Sequence, residues 1–96
     1  MYGLIGKIRA VGGRRDELAA VLAGAGAMPR CFSYIVAEDS NDPDVLWVTE
    51  VWESSEAHRA SLQLPEVQAA IAKGRALIAG FEQRVETSPL GGIWLS

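Results

Sequence analysis

An α+β fold in two layers follows from three observations on the sequence. Four short apolar runs have strand character, helical stretches separate them, and the order is βαββαβ. In this order, that of a ferredoxin-like sandwich, both helical stretches pack on one face of a four-stranded antiparallel sheet. A chain of 96 residues holds one such unit and no second. Residues 1–96 are therefore read as a single domain, with 88–96 as its tail.

The first strand is Tyr2 to Val11, where aliphatic residues alternate with Gly, Lys and Arg until Gly12-Gly13 breaks the run. Arg14-Arg15-Asp16-Glu17 then opens a helix, with its acids in the first turn where the helix dipole favours them. Leu18, Val21, Leu22 and Ala25 fall on one face of this helix, and its other residues, mostly Ala and Gly, fill little volume. It is expected to end between Gly26 and Pro29. Cys31 to Asp39 is the second strand, Ser40-Asn41-Asp42-Pro43-Asp44 has the residues of a hairpin turn, and Val45 to Glu53 is the third strand. Ser54 suits an N-cap for a short helix from Ser55 to Leu62. Pro65 restarts the helix at the position proline favours. Val67, Ile71, Ile78 and Phe81 are expected near one face of that second piece, Gly74 at a close approach, and Gly80 at its end. Phe81 to Thr87 alternates as a fourth strand, and the Gly-rich tail keeps Leu90, Ile93, Trp94 and Leu95.

Composition narrows the class further. Hydrophobic residues make up 49% of the chain, which excludes a solvating or disordered segment. Nine basic residues against twelve acidic ones give a net charge of −3 and no basic stripe, so a nucleic-acid partner is not expected. The single Cys31 and the single His58 leave no intrachain disulfide and no multi-cysteine zinc site, and no metal is expected. Cys31 reads as a small buried hydrophobe. The N-terminus is charged too early for a secretion signal. The longest uncharged stretch, beginning at Leu18, stops at Arg30, too short to span a bilayer. A cytoplasmic protein with no membrane partner is the expectation.

A sheet with one wet face should show strands that alternate cleanly between apolar and polar. The third strand does not: Val45, Trp47, Thr49 and Val51 share one side, Leu46, Val48, Glu50 and Trp52 the other. In the second strand Cys31, Ser33, Ile35 and Ala37 are expected opposite Phe32, Tyr34, Val36 and Glu38. Leaving either face bare would expose a larger apolar patch than monomers usually carry. A homodimer across the open face is the simplest remedy. Glu50 then needs a partner, for which Arg84 is a candidate, and the Ile93-Trp94-Leu95 tail is expected to dock, with the partner chain as a candidate surface and simple fraying as the alternative.

The segment Glu50-Val51-Trp52-Glu53-Ser54, with Ala57, Leu62 and Pro65-Glu66-Val67-Gln68-Ala69, resembles the antibiotic biosynthesis monooxygenase (ABM) domain family. The Gly12-Gly13 break and Cys31-Phe32-Ser33-Tyr34 fit the same pattern, so the resemblance covers almost the whole chain. It implies a dimeric α/β barrel and a cofactor-independent monooxygenase that oxidises an aromatic phenol, quinol or anthrone-like substrate with O2. Such chemistry asks the protein for an apolar pocket, help with deprotonation and exclusion of water. A haem-degrading branch of the fold resembles a pattern of asparagine, tryptophan and histidine whose positions here hold Lys7, Ser61 and Ile71, so a haem site is not implied. The alternative reading is a non-catalytic dimeric module that binds a small hydrophobic ligand.

His58 is the candidate catalytic residue, because only an imidazole titrates near neutrality without help. Its place early in a helix would lower its basicity. The resemblance implies a histidine one turn later, where this chain has Ser61. Trp52, Trp47, Tyr34 and Ser61 are the candidate substrate-binding residues: the indoles as stacking walls on opposite faces of one strand, Tyr34 as a hydrogen-bond donor. Core packing explains both tryptophans equally well. Glu50 reads as a paired structural carboxylate before a base, and Arg9, Arg14 and Arg15 as a solvated cluster. The pocket is expected between sheet and helices, in space left by the small residues of the first helix.

Overall fold

The computed structural model describes residues 1–24 and 26–93. Ala25, expected on the first helix, and Trp94 and Leu95 of the tail lie outside the described residues. Four strands and three helices follow in the order β1 (Tyr2–Ala10), α1 (Arg15–Ala23), β2 (Cys31–Glu38), β3 (Val45–Trp52), α2 (Ser55–Ser61), α3 (Pro65–Arg75) and β4 (Ile78–Thr87). The sheet is antiparallel throughout, in the order β2-β3-β1-β4, with the helices on one face, which is the predicted βαββαβ sandwich.

The pairing register decides which side chains share a face, since cross-strand partners point the same way. Leu4, Ile8 and Ala10 of β1 pair with Glu50, Leu46 and the β4 residue Ile78, and Leu46, Val48 and Trp52 of β3 turn toward the helices. Ile8, Ala10, Leu18, Leu46, Val48 and Leu77 form the core under α1. Leu18 is fully buried there, so α1, despite its small residues, plugs its own end of the layer.

Five local features depart from the sequence expectations, and the first is that α1 ends at Ala23 rather than between Gly26 and Pro29. The second helical piece ends at Arg75 rather than Gly80, and Ile78 opens β4. Ile78 sits at helical spacing from Ile71, but the backbone here is claimed by β1: Val11 N–H donates to Leu77 O at 2.8 Å and Ile78 pairs with Ala10. Phe81, read both near the helix face and as the start of the fourth strand, lies in β4 as the second reading has it and is 72% exposed. A bulge between Cys31 and Ser33 in β2 places Cys31 opposite Trp52, on the helix side, away from Ser33 and Ile35. At Gly74 a Cβ would rest 3.7 Å from Leu18 Cδ1, an ordinary contact, so no close approach requires glycine there. Gly13, by contrast, takes φ +77 in the turn after β1, a conformation that favours glycine.

Candidate functional site

The site starts with the strand period. Glu50 and Trp52 are two residues apart on β3, so both point under the helices, and the Trp52 indole N–H donates to Glu50 Oε1 at 3.0 Å. Tyr34 is the direct partner of Glu50 across β2, so its ring joins them on the same face. Ser54 then caps α2, its Oγ accepting from Ala57 N–H at 3.1 Å, which fixes the first turn and presents His58 to the end of β3.

His58 packs between two rings. Its imidazole meets Trp52 edge-on at 5.3 Å between centroids and Tyr2 at 5.7 Å, with an interplanar angle of 35° for the latter. Nε2 stands 3.9 Å from Glu50 Oε1, outside hydrogen-bond reach but within ion-pair distance, with 16% and 13% of the two side chains exposed. Ser61 is buried, and its hydroxyl donates to the His58 carbonyl at 2.5 Å, a bond within the helix. Toward solvent, the Tyr2 hydroxyl donates to Glu86 Oε2 at 2.8 Å, and Arg84 Nη1 lies 3.7 Å from Glu86 Oε1.

A cavity of about 120 Å³ lies here between the sheet and the helices. Tyr34, Glu50, Trp52, His58 and Ser61 supply its polar and aromatic wall. Leu22, Met28, Leu62, Val67, Ala70 and Ile71 close it with apolar surface. Most of this lining comes from α2, α3 and the segment between them, with α1 contributing Leu22. The void therefore lies beside the small residues of α2 and α3, not under α1 as the sequence suggests.

Burial sets the electrostatics. Desolvation pushes the Glu50 carboxyl above the ordinary glutamate range, opposed by the Trp52 hydrogen bond and the positive charge of Arg84. His58 is held below its ordinary value, first by burial and then by Arg84, with Glu86 opposing; the helix terminus named by the sequence is not the main cause. Tyr34 is pushed up to about 12, mainly by burial and next by Glu50, so it remains a neutral hydroxyl. No hydrogen bond among the described residues involves that hydroxyl or Glu50 Oε2.

Of the five residues singled out in the sequence, the structure brings His58, Trp52, Tyr34 and Ser61 to one cavity. Trp47 lies on the other face of the sheet, where its indole N–H donates to Asp39 Oδ2 at 2.7 Å and Lys7 Nζ sits 5.5 Å above its ring. Asp39 also receives the N–H groups of Asn41 and Asp42, so Trp47 anchors the β2–β3 turn. These three bonds, Trp47 first, hold the Asp39 carboxyl down to about 2. Arg84, named as a partner for Glu50, pairs with Glu86 instead and reaches Glu50 only through its field. Glu50 itself and Tyr2 are the polar residues that sequence reasoning left out of the site. The clue for Glu50 was a lone charge in an apolar strand, two residues before Trp52. Among the described residues no three of His, Cys, Asp and Glu converge as metal ligands. No helix among them is long and apolar enough to cross a membrane.

The two-layer α+β fold thus sets a carboxylate and an imidazole beside aromatic rings at one small cavity, the kind of concavity in which ligand sites are built. The family model for antibiotic biosynthesis monooxygenase matches residues 1–73, and the chain belongs to that family. A Chloroflexus aurantiacus structure assigned to the antibiotic biosynthesis monooxygenases is 59% identical, with 96% of this chain and 95% of that one covered and a TM-score of 0.93. Two more distant structures share the fold. One, from Pseudomonas aeruginosa, is 21% identical over 94% of each chain with a TM-score of 0.77. The other, from Deinococcus radiodurans, is 22% identical over 100% of this chain and 99% of that one with a TM-score of 0.76. No curated protein matches the chain.

Proposed function

We propose that this chain is a cofactor-independent monooxygenase that oxidises a phenol or quinol with O2, working as a homodimer. The observation that carries this reading is the convergence of Glu50, His58, Tyr34 and Trp52 on one cavity in the family's fold. An electron-rich phenolate can serve as its own reductant. Loss of the hydroxyl proton leaves an anion that transfers an electron to O2, and recombination forms a carbon–oxygen bond as a hydroperoxide. Breaking its O–O bond with loss of the hydrogen on the same carbon gives a carbonyl and water. The substrate thus loses two hydrogens and gains one oxygen atom, while the second oxygen leaves in water. The protein's part is to bind the ring against Trp52, hold its oxygen near Tyr34, move a proton at the Glu50–His58 pair and keep bulk water out.

Cavity size selects among the substrates the family resemblance implies. An apolar cavity of about 150 Å³ accepts benzene. At about 120 Å³, this one has room for no more than a single ring with its hydroxyl groups toward the mouth, and not for three fused rings of the anthrone kind. Oxygen uptake measured with a hydroquinone, a naphthohydroquinone and an anthrone should be fastest with the single ring. It should fall about 10²-fold or more in His58→Ala if that imidazole takes part in proton transfer. Saturable binding of these compounds with no oxygen consumption would make the chain a binding module and end the oxygenase reading.

A further inference from the structure

Resting on that reading of the cavity, we propose that Glu50 is the first acceptor of the substrate's hydroxyl proton and that His58 carries the proton onward to the Tyr2–Glu86 rim. The geometry divides the Glu50 carboxylate into two ends. Oε1 is taken by the Trp52 indole at 3.0 Å and faces His58 Nε2 at 3.9 Å. Oε2 makes no hydrogen bond among the described residues, and Glu50 lines the cavity. The indole bond fixes the carboxylate while leaving one oxygen for a substrate hydroxyl. His58 stands behind it, against Trp52 on the inner side and against Tyr2, whose hydroxyl reaches Glu86, on the outer side.

In the step, the substrate O–H bond breaks with its electron pair staying on oxygen, and the proton goes to the Glu50 carboxylate. An imidazole shift of about 1 Å brings Nε2 within hydrogen-bond reach. Once the carboxyl turns about its Cγ–Cδ bond and brings the protonated oxygen to the imidazole, Nε2 can take that proton while Nδ1 loses one to water at the rim. Such contacts are often long before substrate arrives. The charges around Glu50 suit the order. Tyr34 and Cys31 of β2 face it as neutral groups raised by burial, and Arg84 of β4 adds positive charge. α1 and α3 present only Leu22, Val67, Ala70 and Ile71. Burial strengthens Glu50 as a base and weakens His58, which suits pick-up by the first and release by the second.

The test uses 4-nitrophenol, a single-ring phenol that O2 does not oxidise, added at a pH where the free compound is ionised. Calorimetry in buffers of different ionisation enthalpy counts the protons taken up on binding. If Glu50 is the acceptor, one proton must sit between its carboxylate and the phenol oxygen. The wild-type protein should then take up about one proton per ligand, Glu50→Gln none, and His58→Gln about one. Glu50→Gln keeps an acceptor for Trp52, and its circular dichroism should match the wild type. Uptake unchanged in Glu50→Gln, uptake lost in His58→Gln instead, or no binding at all would each overturn the proposal. Oxygen uptake with hydroquinone separates this from the oxygenase reading. In Glu50→Gln, kcat should fall about 10²–10⁴-fold with KM changed only a few-fold. Full activity in that variant would overturn the role of Glu50 alone. A wild-type protein that binds with proton uptake but consumes no oxygen would remove only the oxygenase reading.

Discussion

At the scale of single residues, Glu50 is the group whose environment and chemistry are most tightly linked. A carboxylate raised by burial makes the folded state bind a proton more readily than the unfolded chain does. Between the unfolded and the folded values, stability therefore falls as pH rises. The Glu50 contribution is complete below the ordinary glutamate range and lost once the folded value is passed. Glu50→Gln removes this loss, so its melting temperature should exceed the wild type's by more at pH 7 than at pH 4. Thermal melts at the two pH values check the sign. The residue was visible in the sequence as a charge in an apolar strand, but its meaning was not. The alternation of β3 put Glu50 and Trp52 on one face, whereas the position of His58 relative to them depends on how α2 folds back over the strand end, which no local pattern encodes. Trp47 carries the same lesson in reverse. Its indole has the chemistry of a stacking wall, and only the bond to Asp39 shows that it serves the turn.

At the scale of elements, local signals read well where they act alone and poorly where a distant strand competes. Ser54 caps α2 and Pro65 opens α3 at the predicted places, because both act on their own helix. The end of α3 was misplaced by about a turn because β1 recruits the backbone of Leu77 and Ile78, and a helical apolar spacing carries no trace of that pairing. The β1–β4 pairing has its own steric requirement at Gly3. A Cβ there would collide with Thr87 Oγ1 and stand 3.0 Å from Pro89 Cγ. Gly3→Ala should cost about 1–3 kcal/mol, in the range of overpacked sites, and Thr87→Ala in the same chain should restore part of it. Urea denaturation of the single and double variants measures both.

At the scale of the whole molecule, the open face of the sheet is the feature the fold leaves exposed. Charged groups are concentrated at one end of it, where Glu82 meets Lys7 and Arg9, and Arg9 also reaches Asp42. Toward the other end lie Ile35 at 37% exposure and Val85 at 46%, with Thr49 exposed between their strands. A chain of this size buries only about two-thirds of its unfolded surface, so the proposed second copy on that face would add stability the protomer lacks. The wild-type chain should sediment as a dimer at micromolar concentration, and Thr49→Arg, placing a charge on the face, should sediment as a protomer with unchanged circular dichroism. A well-folded wild-type protomer under those conditions would leave the face without its proposed role.

The bulge in β2 has a consequence for how this strand tolerates changes of length. Cys31 sits opposite Trp52 and Ser33 opposite Val51, so Phe32 is the one residue of the strand that the ladder does not count. Deleting Phe32 would make the strand regular and leave Tyr34, Val36 and Cys31 pointing where they already point. Ser33 could be lost in the same way, with Phe32 taking its place, whereas deleting Ile35 would move Tyr34 opposite Thr49 and carry the tyrosine ring out of the cavity. Length variation among chains of this design should therefore gather at positions 32 and 33 and avoid the five residues that follow them.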